Sequence, residues 1–97
     1  MINLKDEYIE FIKKIINDLL PDVEIFIFGS RVQGVAKEYS DVDIALRSLR
    51  EIPFEDVLKL KSLFEDSTFP YKVDIVDLNN IKPEFYNLIK DDLQKIN

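Results

Sequence analysis

The sequence contains no cysteine, no histidine and no tryptophan, and its 97 residues include two glycines. Without cysteine, neither a disulfide nor a thiolate metal site can form. The absence of histidine excludes a histidine general base, a Ser-His-Asp triad and a histidine-ligated zinc. Carboxylates and lysine are therefore the side chains left to accept protons.

Long apolar runs are also missing, and the N-terminus does not resemble a signal peptide. We therefore expect a cytoplasmic protein without membrane contact. The net charge of -6 disfavours direct nucleic-acid binding, because grip on the phosphate backbone depends largely on lysine and arginine. No linker, repeat or low-complexity segment interrupts the chain, and its length is enough to bury a core. We expect one domain over residues 1–97.

The most informative segment begins with Gly29-Ser30, which follows a short, β-branched and aromatic run at residues 23–28. That run predicts a buried β-strand. A strand that ends in Gly-Ser can present turn amides to anionic oxygens, because no side chain blocks the glycine. The turn is thus a candidate phosphate-binding site.

Ten residues separate Ser30 from Asp41-Val42-Asp43, with which the segment ends. Side chains alternate along a strand, so both carboxylates of an Asp-x-Asp point to the same face. Hard oxygen ligands on one face suit Mg²⁺, which binds through one or two carboxylates together with substrate phosphates. The order of turn and acids indicates metal-assisted chemistry on a nucleoside triphosphate.

A third acid, Asp74, lies in the strand-like run of residues 71–76, where an unpaired carboxylate would be costly to bury. Asp77 is its rival. The two are three positions apart, so on one strand they point to opposite faces and only one can join the other acids. We favour Asp74 and expect Asp77 to cap the following turn.

Helical periodicity predicts a first helix over about residues 4–20, with Asn3 as a candidate cap, and another over about residues 54–65. The last helix is predicted to begin at Asn80 and Pro83 and to continue to Ile96. A further strand is predicted at residues 42–46, and the 29–34 turn can open a short helix. Apolar residues cover more than half of the 54–65 helix, so it is either deeply packed or partly exposed to a partner.

One group of residues resembles the signature of the minimal nucleotidyltransferases of the DNA polymerase beta superfamily, small proteins often paired with a HEPN-domain partner in toxin–antitoxin modules. The group is Gly29-Ser30-Arg31, Gly34, Ala36 and Ser40-Asp41-Val42-Asp43. The resemblance implies an α/β, two-layer nucleotidyltransferase fold with a mixed three-stranded sheet packed by helices. It also implies that the second and third strands are neighbours, which would bring Asp74 beside Asp43.

The resemblance further implies the site. Asp41, Asp43 and Asp74 are the expected catalytic metal ligands for two Mg²⁺ ions, with Asp74 on the acceptor side. Gly29 and Ser30 are expected to hold the triphosphate. Arg31 either joins them as a nucleotide-binding residue or pairs with Glu38 or Asp41, and Ser40 is expected to hydrogen-bond the backbone ahead of Asp41.

By the same resemblance, the expected reaction transfers AMP from ATP to a hydroxyl, with a tyrosine of a HEPN-domain toxin as acceptor, so that the chain acts as an antitoxin. A homo-oligomer is also possible. Two alternatives stay open: an aminoglycoside-type adenylyltransferase that acts on a small molecule, and a non-catalytic antitoxin that neutralises its partner by contact.

Overall fold

The helices and strands alternate along the chain as the apolar periodicity predicts. A computed structural model describes residues 2–97. The helices are α1 (Asp6–Leu19), α2 (Ser30–Gln33), α3 (Phe54–Glu65) and α4 (Pro83–Ile89), the last followed by a 3₁₀ turn (Lys90–Asp92); the strands are β1 (Glu24–Phe28), β2 (Val42–Arg47), β3 (Val73–Asp77) and β4 (Gln94–Lys95). None of the helices within 2–97 is long and apolar enough to cross a bilayer.

The strands form one mixed sheet in the order β3-β2-β1-β4. β1 runs antiparallel to β2 and β4, while β2 and β3 are parallel. A parallel pair needs a crossover connection, and α3 supplies it between β2 and β3. The predicted α/β fold and the neighbouring second and third strands are confirmed; the sheet has a fourth strand in addition to the predicted three.

The two faces of the sheet have different partners. One face carries the larger core, in which residues such as Ile25, Ile44 and Leu46 pack with Ile12 of α1 and Leu60 of α3. The opposite face carries a smaller cluster built on Phe26, Phe28, Ala45 and Ile89. Because side chains alternate, Asp43 shares this second face with Ala45 rather than entering the main core.

The α3 helix has the predicted bounds, and it packs on one side only. Val57, Leu60 and Phe64 are buried, while Phe54 is 72% and Leu58 is 48% exposed. The sequence left open whether this helix is deeply packed or partly exposed. In the structure the inner side of the helix is packed in the core, and its outer apolar side is exposed and available for contact.

The prediction for the last helix is wrong beyond Ile89. The chain leaves helical geometry through the 3₁₀ turn, and β4 then pairs with the edge of β1. The Ile96 N–H donates to the Ile25 carbonyl at 2.9 Å, and the Asn97 side chain continues the pairing by accepting from the Ile25 N–H at 2.9 Å. Without β4, the N–H and C=O groups along the free edge of β1 would be unpaired. Hydrogen bonding to this edge stabilises residues 94–97 as a strand more than their helical periodicity stabilises a helix.

The first helix begins later than predicted. Lys5, and not Asn3, occupies its N-cap position, and no side chain caps it. The Asn3 backbone instead contacts α2, because its N–H donates to the Arg31 carbonyl at 2.7 Å. The N-terminal segment is thereby attached to the Gly-Ser turn.

Candidate functional site

Asp43 and Asp74 lie side by side on the second face of the sheet. They are directly paired positions in the parallel register of β2 and β3. Asp41 immediately precedes β2 and is exposed at the end of the loop that leads into it. All three candidate acids are therefore at the end of the sheet where β2 begins.

The Gly-Ser turn lies directly against one of these acids. Phe28, the last residue of β1, pairs with Asp43 in the antiparallel register. Gly29 follows Phe28 and therefore lies at the same end of the sheet as Asp43. A Cβ added to Gly29 would overlap Asp43 Oδ2 and would lie 3.2 Å from Asp43 Cγ. Gly29 also has φ +78°, a conformation that side-chain-bearing residues rarely adopt. The backbone of the turn can approach the carboxylate this closely because the residue is glycine.

Ser30 begins α2, so its backbone N–H has no partner within that helix. The helix is one turn long and is closed by N–H groups of Val32 and Gln33 that donate to the Gly29 carbonyl, each at 3.0 Å. It ends at Gly34, which has φ +80° in the left-handed region. The predicted short helix in this turn is confirmed.

Asp43 is the electrostatically strained member of the cluster. Burial raises its pKa first, and the charges of Asp74 and Asp41 raise it further. Its β2 neighbours Val42 and Ile44 are fully buried. Among residues 2–97, no lysine or arginine lies within 4 Å of this partly buried carboxylate, and such a setting favours the binding of a cation.

The other two acids are more exposed. The Asp74 side chain is 61% exposed, so the expectation of a costly buried acid in β3 is wrong. Within residues 2–97, no three acidic or other ligating side chains converge on one point closely enough to hold a single ion. Mg²⁺ usually binds one or two carboxylates and completes its coordination shell with phosphate and water. A site in which each ion contacts only two of the three acids would therefore suit it.

Asp77 points away from the acids, as strand parity requires. Its carboxylate accepts from the Asn79 N–H at 3.0 Å and from the Asn80 side-chain amide at 2.9 Å. These bonds close the turn between β3 and α4, so the predicted capping role is confirmed.

Lys61 is a site neighbour that sequence reasoning missed. Its Nζ lies 3.9 Å from Asp74 Oδ1, with both side chains partly exposed. An exposed pair of this kind contributes about 0–1 kcal/mol. The signal was its position one turn from Val57 on the core-facing side of α3, where a lysine is unusual.

Arg31 does not form the ion pair that was one of its two predicted roles. Its guanidinium donates to three backbone carbonyls, and no carboxylate in the described chain lies within 4 Å of it. The expected pairing with the side chain of Glu38 or Asp41 is therefore wrong. Glu38 contributes its carbonyl instead, and Arg31 is 4% exposed.

Ser40 holds the loop before the acids. Its hydroxyl accepts from the Lys37 N–H at 2.8 Å, and its own N–H donates to the Lys37 carbonyl at 3.1 Å. The predicted hydrogen bond to the backbone ahead of Asp41 is confirmed.

The three candidate acids do not line either of the cavities beside β3. A cavity of about 300 Å³ extends along the outer edge of β3 and under the start of α3. Its lining includes Phe54, Val76 and Ile81, together with Lys61, the lysine that contacts Asp74. A nucleotide on the three acids would thus lie at an open surface, whereas ligand sites usually bury most of their ligand.

Comparisons with known proteins agree with this architecture. Residues 10–94 match the family described as "Polymerase beta, Nucleotidyltransferase". The "Probable protein adenylyltransferase MntA" of Haemophilus influenzae is 36% identical over 89 residues, which cover 92% of this chain and 78% of that protein.

Two solved structures match with similar coverage. A chain of the "Crystal structure of the toxin-antitoxin with AMP-PNP" matches with a TM-score of 0.76 at 24% identity. The matched region covers 96% of this chain and 73% of that chain. A chain of the tri-AMPylated Shewanella oneidensis HEPN toxin in complex with MNT antitoxin has a TM-score of 0.75 at 21% identity, with 96% and 71% covered. At these identities the likeness bears on the fold.

The family match spans the Gly-Ser turn, both acids of the Asp-x-Asp and Asp74, which are the residues that carried the resemblance in the sequence. The resemblance is confirmed at the level of the family and of the MntA relative. This chain belongs to the polymerase beta nucleotidyltransferase family and is a homologue of the MntA minimal nucleotidyltransferase.

Proposed function

We propose that this chain transfers AMP from ATP to a hydroxyl group and releases pyrophosphate. The observation that carries the proposal is the contact between the Gly29 backbone and the Asp43 carboxylate. A phosphate held at the turn amides would lie next to the acids, so phosphate binding and charge compensation occur at one place.

Gly29 and Ser30 would hold the triphosphate, the first by close backbone approach and the second by its free N–H and its hydroxyl. Asp41, Asp43 and Asp74 would hold Mg²⁺. The fit rests on Asp43, whose pKa is raised by burial and by two neighbouring acids. When bound, the ions neutralise this charge and polarise the transferred phosphoryl group. Asp74 faces the open side of the sheet, where it can accept the proton of the attacking hydroxyl.

We further propose that the acceptor is a tyrosine of a HEPN-domain partner and that this chain acts as its antitoxin in the cytoplasm, where ATP is available. Support comes from the name of the Haemophilus influenzae relative, a probable protein adenylyltransferase. A fold neighbour occurs in a complex of an AMPylated HEPN toxin with an MNT antitoxin. The open site and the exposed outer side of α3 leave room for such a partner.

The test is label transfer. The purified chain is incubated with Mg²⁺, its HEPN-domain partner and ATP labelled either at the α- or the γ-phosphate. We expect α-label on the partner, no γ-label, and loss of transfer with chelator or in Asp43→Asn. Asp77→Asn is the matched control, since it changes an acid on the opposite face of β3 and should still transfer.

Transfer of γ-label would make the chain a kinase and refute the proposal. Equal binding and neutralisation of the partner by wild type and Asp43→Asn, with no label on any protein, would favour the non-catalytic antitoxin. Rapid labelling of aminoglycosides by the chain alone would favour the antibiotic-modifying alternative.

A further inference from the structure

Arg31 is the one charged side chain in the described part of the protein that is buried, with 4% of its surface exposed. Burying a charge is costly unless its hydrogen-bonding groups find partners. Within residues 2–97 no carboxylate lies within 4 Å of Arg31, so other groups around it must supply the compensation.

Three backbone carbonyls and one aromatic ring do so. The guanidinium Nη2 donates to the Ser40 carbonyl at 2.7 Å and to the Glu38 carbonyl at 3.3 Å, and Nη1 donates to the Asn3 carbonyl at 3.2 Å. The guanidinium carbon lies 4.2 Å from the centre of the Tyr71 ring, within the range of a cation–π contact.

These contacts join the segments that carry the candidate site. Arg31 itself lies in the turn that follows Gly29. Ser40 immediately precedes Asp41, and Tyr71 lies three residues before Asp74. The loop that contains Ser40 has no regular secondary structure, so its shape depends on such contacts.

The Tyr71 ring is itself held in place. It packs edge-on against Tyr8 at 5.7 Å and Phe69 at 5.9 Å between ring centres. Arg31 therefore bridges an irregular loop and an aromatic cluster that is anchored on α1.

We propose that Arg31 is a positioning residue that fixes the 35–41 loop, and with it Asp41, relative to the Gly-Ser turn and β3. This inference rests on the proposed function. It also replaces the expectation that Arg31 binds the nucleotide. Both Nη atoms already donate to carbonyls, and Nε is buried where a ligand cannot reach it.

The contacts require arginine rather than any cation. Its planar guanidinium donates from a rigid, extended fork while its flat face stacks on an aromatic ring, whereas the compact ammonium of lysine cannot span the same three carbonyls while keeping a flat face on the ring. Arg31→Lys thus keeps the charge and removes the bridging geometry.

The experiment compares Arg31→Lys with Arg47→Lys. Arg47 is a matched control because it also stacks on a ring, Phe26 at 4.9 Å, and also donates hydrogen bonds, to Glu24. It lies at the opposite end of β2 from Asp43. AMP transfer kinetics and hydrogen exchange of the 35–41 loop are measured for both variants.

For Arg31→Lys we expect kcat to fall about 10- to 100-fold, since a misplacement of about 1 Å can cost that much. The KM for ATP should stay within about threefold, as for a residue that does not bind the nucleotide. Exchange of loop amides should accelerate by about tenfold or more, because the loop opens more often. Arg47→Lys should leave kcat and loop exchange within about twofold.

A large rise in KM for ATP with kcat retained would make Arg31 a nucleotide ligand and overturn the proposal. Unchanged kcat with unchanged loop exchange would overturn it as well. If wild type itself transfers no AMP, the proposed function fails, while hydrogen exchange still tests whether Arg31 fixes the loop.

If Arg31→Lys does not fold, Tyr71→Leu provides the second variant. It keeps every donor and acceptor of the Arg31 hydrogen bonds and removes the ring beneath the guanidinium. We expect faster exchange of the 35–41 loop than in wild type and a loss of kcat of about threefold to tenfold, since the hydrogen bonds of Arg31 are kept. Exchange and kcat equal to wild type in a folded Tyr71→Leu protein would refute the bridging role.

Discussion

Replacing Asp43 with asparagine removes one negative charge from the acid cluster while preserving the shape that packs against Gly29. Burial and the charges of Asp74 and Asp41 raise the pKa of Asp43. Its ionised form is therefore less favourable in the native protein than in the unfolded chain, and it lowers the free energy of unfolding at neutral pH.

The magnitude follows from the register. Neighbouring strands lie about 4.8 Å apart, and two like charges at that distance repel by about 0.9 kcal/mol at the dielectric constant of water and about 3.5 kcal/mol at an effective value of about 20. Because the Asp74 side chain is 61% exposed, the lower figure applies. We expect Asp43→Asn to raise the free energy of unfolding by about 1 kcal/mol, or Tm by about 4–8 °C for a domain of this size.

The pH dependence has a defined sign. When the pKa of an acid is higher in the native state than in the unfolded chain, ionisation of that acid lowers the free energy of unfolding. The loss begins as pH rises past the pKa of the unfolded chain and is complete above the pKa of the native state. The advantage of Asp43→Asn over wild type should thus be present at neutral pH and disappear below the ordinary aspartate range, at about pH 3.

Ligand binding reverses the order of the two proteins. At about 100 times its Kd, a ligand adds about 2.7 kcal/mol to native stability. Mg²⁺ with ATP should therefore raise the wild-type Tm by about 10–20 °C, more than either component alone, while Asp43→Asn should lose most of this shift. Thermal unfolding followed by circular dichroism at several pH values, with and without Mg²⁺ and ATP, measures both effects.

Asp77→Asn is the control. It should lower Tm, because the Asp77 carboxylate accepts two hydrogen bonds in the turn, and it should retain the ligand shift. An apo Asp43→Asn protein that melts well below wild type would refute the charge argument. A full ligand-induced shift in that variant would remove Asp43 from the site.

Three further predictions concern the acids, the glycines and the assembly. Asp74→Ala should abolish AMP transfer while ATP binding, measured by calorimetry, largely survives, and Asp77→Ala should keep activity within about threefold; the reverse pattern would contradict the assignment of Asp74. Gly29→Ala should lose both activity and stability because its Cβ overlaps Asp43, whereas Gly34→Ala, in open space, should cost about 1–2 kcal/mol of stability for its backbone conformation alone and remain active. Light scattering after size-exclusion chromatography should show a complex with the HEPN-domain partner, and transfer should be slow without it; a monomer that modifies small molecules rapidly would count against a partner-dependent site.

The outer side of α3 is a candidate contact surface for that complex. Phe54 and Leu58 are exposed there, and Phe54 also lines the cavity along β3. Exposed apolar residues that form a contiguous patch are typical of interaction surfaces. Substitution of both residues with serine should weaken the complex without changing the melting temperature by more than about 2–4 °C, since neither is buried in the core.

Local sequence signals determined much of this protein. The bounds of α3 and the strand before Gly29 follow from periodicity, which acts over a few residues. Strand alternation was also expected to place Asp41 on one face with Asp43, but Asp41 lies in the loop just before β2. Strand parity likewise separated Asp74 from Asp77, because it depends only on the alternation of side chains along one strand. The absence of histidine restricted the chemistry to carboxylates and lysine.

Tertiary structure decided what depends on contacts between distant residues. Periodicity along β3 does not specify its neighbour, so the pairing of Asp74 with Asp43, adopted from the family resemblance, is established by the parallel register. The end of the last helix was mispredicted because pairing with β1 stabilises residues 94–97 more than helical continuation does. The role of Arg31 was invisible for the same reason: its partners are backbone carbonyls and the distant Tyr71 ring, and no local pattern encodes a hydrogen bond to a carbonyl that every residue carries.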